Sequence, residues 1–172
     1  MNTQPAPVNF SRLKILVVED NHHMRRIITA ILNGAGVPPS AIREAKDGIE
    51  ALELLRQFDA DLALIDYNMS PIDGVEFARI MRNAPDSANR YLPLVMITGH
   101  SEKSRVTQAR DAGVNEFIIK PLTAKALLNR IVSIVLKPRV YIRSSTYFGP
   151  DRRRRATPNY PGPFRRDDDG LL

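Results

Sequence analysis

The sequence predicts a doubly wound α/β domain, a five-stranded parallel sheet with helices on both faces. Three observations carry this. Short aliphatic runs alternate with segments of helical period, five of each in order. The runs are apolar throughout, as strands covered on both faces are. The chain has 172 residues, about one domain's worth when domains run to roughly 100–200 residues. Right-handed crossovers between such strands give the doubly wound arrangement, whose functional site lies at the carboxyl ends of the strands.

Each element follows from local pattern. Leu13 to Val18 is the first strand, and Glu19-Asp20-Asn21 follow it at once. His22 to Leu32 is helical, with Met24, Ile27, Ile28, Ile31 and Leu32 in one stripe, and Gly34 and Gly36 end it. Ala41 to Ala45 is a weaker strand. Gly48 to Phe58 is helical, with Ile49, Leu52, Leu55 and Phe58 expected on one face. Leu62 to Ile65 is a strand ending at Asp66. Gly74 to Arg82 is helical, with Val75, Ala78 and Met81 inward. Leu92 to Ile97 is a strand ending at Thr98. Ser101 is suited to cap a helix running to Ala112, closed by Gly113. Glu116 to Ile119 is a strand ending at Lys120, and Thr123 is placed to cap a last helix through Leu127, Leu128, Ile131, Ile134 and Val135.

Composition removes several classes of function. Hydrophobic residues are 43% and charged residues 26%, ordinary for a soluble globular protein. There is no cysteine, hence no disulfide frame, thiolate metal site or cysteine nucleophile. The three histidines, two of them adjacent at His22 and His23, do not suggest a histidine metal cage. No apolar run approaches the roughly 20 residues that span a bilayer, and Met1 to Ser11 lacks a signal-peptide pattern. The expectation is a cytoplasmic protein without membrane insertion. The net charge of +6 is uneven: residues 12–137 hold 17 Lys/Arg against 15 Asp/Glu, and residues 138–172 hold 8 Arg against 4 Asp. The basic character therefore belongs disproportionately to a C-terminal tail.

At the strand ends stand Glu19 and Asp20, Asp66, Thr98 and Lys120. A single Asp after a strand is ordinarily a turn or cap residue; four such signals on one five-strand pattern ask for another explanation. Three converging carboxylates repel one another and favour a hard divalent cation such as Mg²⁺. A lysine and a hydroxyl beside them supply donors for an anion that arrives with the metal. Together they describe a phosphoryl-transfer site, in which a carboxylate can act as nucleophile.

The segments Ile15-Leu16-Val17-Val18-Glu19-Asp20-Asn21, Leu64-Ile65-Asp66-Tyr67-Asn68-Met69, Ile72-Asp73-Gly74, Met96-Ile97-Thr98 and Phe117-Ile118-Ile119-Lys120-Pro121-Leu122 resemble the receiver domain of bacterial two-component response regulators, the CheY-like family. The resemblance covers about residues 12–137, with every signature segment in order. It implies a flavodoxin-like sheet of strand order 2-1-3-4-5. It implies that Asp66 accepts a phosphoryl group from a histidine kinase or histidine phosphotransfer protein. Asp20 would ligate Mg²⁺ directly, Glu19 through water, and the carbonyl of Asn68 would add a ligand beside Asp66. Lys120 would pair with the carboxylate and then with the phosphoryl group, Thr98 would bond a phosphoryl oxygen, and Phe117 would swing inward on activation. Lys120-Pro121 would be a cis peptide. Such a chain is a signalling phosphoacceptor rather than an enzyme, supporting only its own phosphotransfer and autodephosphorylation. Its output would be a downstream protein target or onward transfer. Ser70, Gly99 and Phe117 depart from the commonest family residues, and Asn68 and His100 stand where the family tunes dephosphorylation.

The domain reading is a flexible arm over residues 1–11, the receiver over 12–137, and a disordered tail over 138–172. The tail holds five prolines and five of the chain's eleven aromatic residues, with too little aliphatic material for a second core. It also holds a loose repeat: Tyr147-Phe148-Gly149-Pro150-Asp151-Arg152-Arg153 returns as Tyr160-Pro161-Gly162-Pro163-Phe164-Arg165-Arg166. Arg152, Arg153, Arg165 and Arg166 are the candidate interaction residues. They suit a partner protein or the receiver itself. The alternative is a receiver-gated regulator that binds nucleic acid through this tail.

Overall fold

The computed structural model describes residues 8–99 and 103–152. Five parallel strands form one sheet: β1 (Ile15–Val18), β2 (Ile42–Ala45), β3 (Leu62–Asp66), β4 (Leu94–Thr98) and β5 (Glu116–Ile119), in the order β2-β1-β3-β4-β5. The helices are α1 (His22–Gly34), α2 (Gly48–Leu55), α3 (Gly74–Asn83), α4 (Lys103–Asp111) and α5 (Ala124–Leu136).

Strand side chains alternate between faces, and here both faces are buried. Leu16, Val18, Ile65 and Met96 join one core with Phe77 and Met81 of α3 and Ala109 of α4. Ile15, Val17, Leu64 and Ile97 join the other with Ile28 and Leu32 of α1 and Leu127 and Ile131 of α5. Helix starts are capped by side chains: Asn21 accepts from Met24 N–H, Asp47 from Glu50, Asp73 from Glu76 and Thr123 from Ala126. Gly36 and Gly113, at φ of 103° and 91°, adopt the left-handed conformation just past α1 and α4.

Several expectations need correction. The second helix ends at Leu55, and its buried stripe is Gly48, Ala51 and Leu55; Ile49 is 47% exposed because it sits a third of a turn off that stripe. Ile27 likewise points outward from α1. The fourth strand begins at Leu94, after Pro93. The N-terminal arm does not reach residue 11: Asn9 caps a short 3₁₀ turn at Phe10–Arg12, and Phe10 and Leu13 pack on the α1/α5 core. Residues 1–7 and the expected cap Ser101 lie outside the described residues.

The largest correction concerns the tail. Its first part folds, as an antiparallel hairpin of β6 (Tyr141–Arg143) and β7 (Phe148–Pro150). No aliphatic core is needed, because aromatic rings supply the contact. Tyr91, Tyr141 and Phe148 pack mutually with centroids 5.2–5.9 Å apart. Arg82, 1% exposed at the end of α3, ties the hairpin's floor together. It donates to the carbonyls of Gly113 and Arg90 and to Asn115 Oδ1, and its guanidinium lies 5.3 Å from the Tyr141 ring. Arg139 reaches back to Glu116 of β5 at 3.3 Å. The hairpin therefore lies at the amino-terminal ends of β4 and β5, opposite the strand ends that carry Asp66.

Candidate functional site

Strand register assembles the polar residues. Val18 is paired with Ile65, so Glu19 comes alongside Asp66. Asp66 is paired with Ile97, which brings Thr98 next to it, and Thr98 is paired with Ile119, which brings Lys120 next to that. Residues spread over a hundred positions meet because each strand delivers its last residue to the same rim. The strand order reverses between β1 and β3 while the strands stay parallel, and doubly wound sheets bind ligands in the crevice at such a point.

Lys120 Nζ lies 2.8 Å from Asp66 Oδ1 and 3.7 Å from Glu19 Oε2. The other oxygen of Asp66, Oδ2, accepts from Asn68 N–H at 2.9 Å. Glu19 Oε1 accepts from Asn21 N–H at 3.2 Å. Glu19 Oε2 is buried, and among the described residues no donor is within hydrogen-bond range of it. Glu19 and Asp66 are buried, whereas Asp20 and Asn68 are exposed at the mouth. Thr98 is buried at the end of β4, and its carbonyl accepts from Lys120 N–H at 2.8 Å. Phe117 is half-buried against the α3/α4 core. Lys120-Pro121 is cis, and so is Ser70-Pro71.

The electrostatics follow from this crowding. Burial pushes the Glu19 carboxyl up to about 6, and the charge of Asp66 adds to the rise, while Lys120 and the Asn21 amide pull the other way. Burial acts to lower Lys120, but its hydrogen bond to Asp66 and the charges of Asp66 and Glu19 outweigh it, so the ammonium is held above its ordinary value.

The residues fit a divalent cation. Oxygens of Glu19, Asp20 and Asp66 lie within 4.8 Å of one another. All are hard donors, and Glu19 Oε2 is a buried acceptor with no hydrogen-bond donor in range. One ammonium among three carboxylates leaves net negative charge for the ion to neutralise.

Other positions were not legible as functional. Arg25 donates to the carbonyl of Glu19 at 2.6 Å and pairs with Glu44 at 3.0 Å, fixing the backbone on which Glu19 and Asp20 sit. Tyr67 follows Asp66 and is buried; its hydroxyl donates to Gln108 Oε1 at 3.2 Å, and Arg105 lies 5.3 Å from its ring. Both contacts join the strand end to α4. His22 and His23 are exposed, with His22 Nδ1 3.3 Å from Arg25. Arg152 does not project toward solvent as a free tail residue: it pairs with Asp111 at 2.9 Å and stacks on Tyr147 at 3.8 Å. His100, Arg153, Arg165 and Arg166 lie outside the described residues.

Comparison with known proteins agrees with this geometry. A family model described as the response regulator receiver domain matches residues 15–132. Chemotaxis protein CheY of Pseudomonas aeruginosa is 36% identical over 122 residues, 71% of this chain and 95% of the relative. Chemotaxis protein CheY-3 of Vibrio cholerae is 35% identical over 122 residues, 71% of this chain and 91% of the relative. Among solved structures, CheY4 of Vibrio cholerae aligns with a TM-score of 0.64 and 25% identity over 71% of this chain and 98% of its own. The receiver domain of the Pseudomonas aeruginosa sensor histidine kinase PA1611, which has a magnesium ion coordinated in its active-site cleft, aligns with a TM-score of 0.60 and 28% identity over 70% of this chain and 94% of its own. The chain belongs to the response regulator receiver domain family, the phosphoacceptor signalling modules of two-component systems.

Proposed function

We propose that this protein is a response regulator in which Asp66 accepts a phosphoryl group from a histidine kinase or histidine phosphotransfer protein. The observation that carries it is the 2.8 Å contact of Lys120 Nζ with Asp66 Oδ1, beside the buried carboxylate of Glu19 and the exposed one of Asp20. A carboxylate oxygen of Asp66 attacks phosphorus, the bond from phosphorus to the donor imidazole nitrogen breaks, and the nitrogen keeps the electron pair. The acidic cluster of Glu19, Asp20 and Asp66, with the carbonyl of Asn68, is the proposed Mg²⁺ site. A bound Mg²⁺ supplies neutralisation of charge on the phosphoryl oxygens. Lys120 moves from the carboxylate to the phosphoryl group as the acyl phosphate forms, and Thr98 donates its hydroxyl to a phosphoryl oxygen. Phe117 then repacks between half-buried and buried positions, which changes the surface of α4, β5 and α5.

In this role the protein acts in the cytoplasm, catalyses only its own phosphotransfer and dephosphorylation, and delivers its signal to a protein target or the next member of a relay. Among the described residues no helix is long and apolar enough to cross a membrane. Among the described residues nothing favours the nucleic-acid alternative: Arg152 is engaged within its own chain, and Arg153, Arg165 and Arg166 lie outside those residues.

The test is labelling with acetyl phosphate, read by intact mass. The wild type takes up one phosphoryl group in Mg²⁺ and none in a chelator, and Asp66→Asn takes up none. Stoichiometric labelling of Asp66→Asn overturns the assignment.

A further inference from the structure

The first copy of the tail repeat occupies a built site on the domain. Tyr147 is buried, and its hydroxyl donates to the carbonyl of Pro150 at 2.8 Å. Gly149 is buried against Gly113: a Cβ at position 149 would stand 3.0 Å from Gly113 Cα and 2.6 Å from the Tyr147 hydroxyl. Arg152 lies flat on the Tyr147 ring at 3.8 Å and pairs with Asp111, the last residue of α4, at 2.9 Å. Tyr147, Gly149 and Arg152 therefore each have a defined structural reason to be the residue they are, and Pro150 supplies the carbonyl that holds the Tyr147 hydroxyl.

Those four residues recur at one constant offset. Tyr160, Gly162, Pro163 and Arg165 stand 13 positions after Tyr147, Gly149, Pro150 and Arg152. Positions with other duties change. Phe148, which joins the aromatic cluster with Tyr91 and Tyr141, becomes Pro161, and Asp151, whose N–H donates to the carbonyl of Val140, becomes Phe164. The repeat thus preserves Gly149 and Arg152, which meet Gly113 and Asp111, together with the Tyr147 ring under Arg152 and the proline whose carbonyl holds the Tyr147 hydroxyl, and it changes two residues that bind the rest of the hairpin. Losing the ring and amide of Phe148 makes the second copy the weaker ligand.

We propose that the face built by Asp111, Gly113 and the carbonyl-bridging Arg82 is a docking site for the pattern Tyr-x-Gly-Pro-x-Arg, and that its second occupant is the 160–165 segment of another copy of this chain. Reciprocal exchange of that segment closes a two-fold dimer without new surface on the sheet. The covalently attached first copy competes at an effective concentration on the order of millimolar, so exchange is weak until its grip is loosened. This inference is independent of the phosphoacceptor role of Asp66.

The full chain decides it, by sedimentation velocity across micromolar to submillimolar concentration. Arg152→Ala removes the ion pair of the first copy and leaves Arg165 intact. It is expected to dimerise several-fold more tightly than the wild type, since a partly exposed ion pair and the ring contact are lost. Adding Arg165→Ala, or Asp111→Asn, returns the protein to a monomer. A cooperative urea transition followed by circular dichroism in every variant checks that the domain is folded. Tyr160→Ala and Arg165→Ala in the wild-type background, both later in the chain than the hairpin, must lower any wild-type association. A peptide of residues 158–168 dissociates the Arg152→Ala dimer. An Arg152→Ala protein that stays monomeric throughout, or a dimer that survives Arg165→Ala, overturns the proposal.

Discussion

Gly74, the first residue of α3, rests on the carbonyl oxygen of Asp66: a Cβ at position 74 would stand 2.5 Å from that oxygen and 3.1 Å from Met96 Cε. Its amide donates to the Tyr67 carbonyl at 3.0 Å. The turn that carries Asn68 is thereby closed over the end of β3 by a residue with no side chain. Gly74→Ala forces helix and strand end apart, at a cost of about 1–3 kcal/mol. Urea unfolding should show that loss, and labelling of Asp66 by acetyl phosphate should slow several-fold.

Glu19 gives a pH dependence with a definite sign. Its carboxyl titrates at about 6 when folded, against 4.5 for the free group. Between those values the folded state holds the extra proton. The contribution of Glu19 to stability is therefore full below pH 4.5 and is lost as pH rises through 6 in metal-free protein, by roughly 1–2 kcal/mol. The difference in unfolding free energy between wild type and Glu19→Gln, measured from pH 4 to pH 8, isolates this term. At neutral pH without Mg²⁺ the Gln variant should melt about 2–8 °C higher. Mg²⁺ affinity of the wild type should climb with pH through about 6 and that of Glu19→Gln should not.

Tyr67 connects the phosphoacceptor strand to α4 through its 3.2 Å bond to Gln108. Tyr67→Phe keeps the buried ring and deletes only the hydroxyl. A double-mutant cycle with Gln108→Ala, read by urea unfolding, should give a coupling of about 0.5–1.5 kcal/mol. Additive effects would place the two side chains in separate networks.

Arg82 spans Gly113, Arg90 and Asn115 with three different nitrogens. A lysine ammonium cannot reach all three, so buried carbonyls are left without donors. Arg82→Lys should cost about 2–4 kcal/mol in chemical denaturation. Amide exchange should rise first in residues 139–151, because the hairpin stands on this side chain.

Sequence alone determined the α/β architecture, because continuous apolar strands and amphipathic helices are local patterns with different periods. It also indicated Glu19, Asp20, Asp66, Thr98 and Lys120, because a parallel sheet delivers every strand's last residue to one rim. Tertiary structure decided what no local pattern encodes. The hairpin at 141–150 has strands of three residues, too short for a periodic signal, and folds only because Tyr91 and Arg82, distant in sequence, form its floor. Arg152 read as an interaction arginine for a partner protein or for the receiver itself, and only the folded chain selects Asp111 and the Tyr147 ring as what holds it. Ile49 and Ile27 read as core residues because they are apolar, yet each lies off the stripe that its helix buries. Local pattern fixes which elements form. The contacts between distant residues fix where an apolar or charged side chain ends up, and those depend on the whole packed chain.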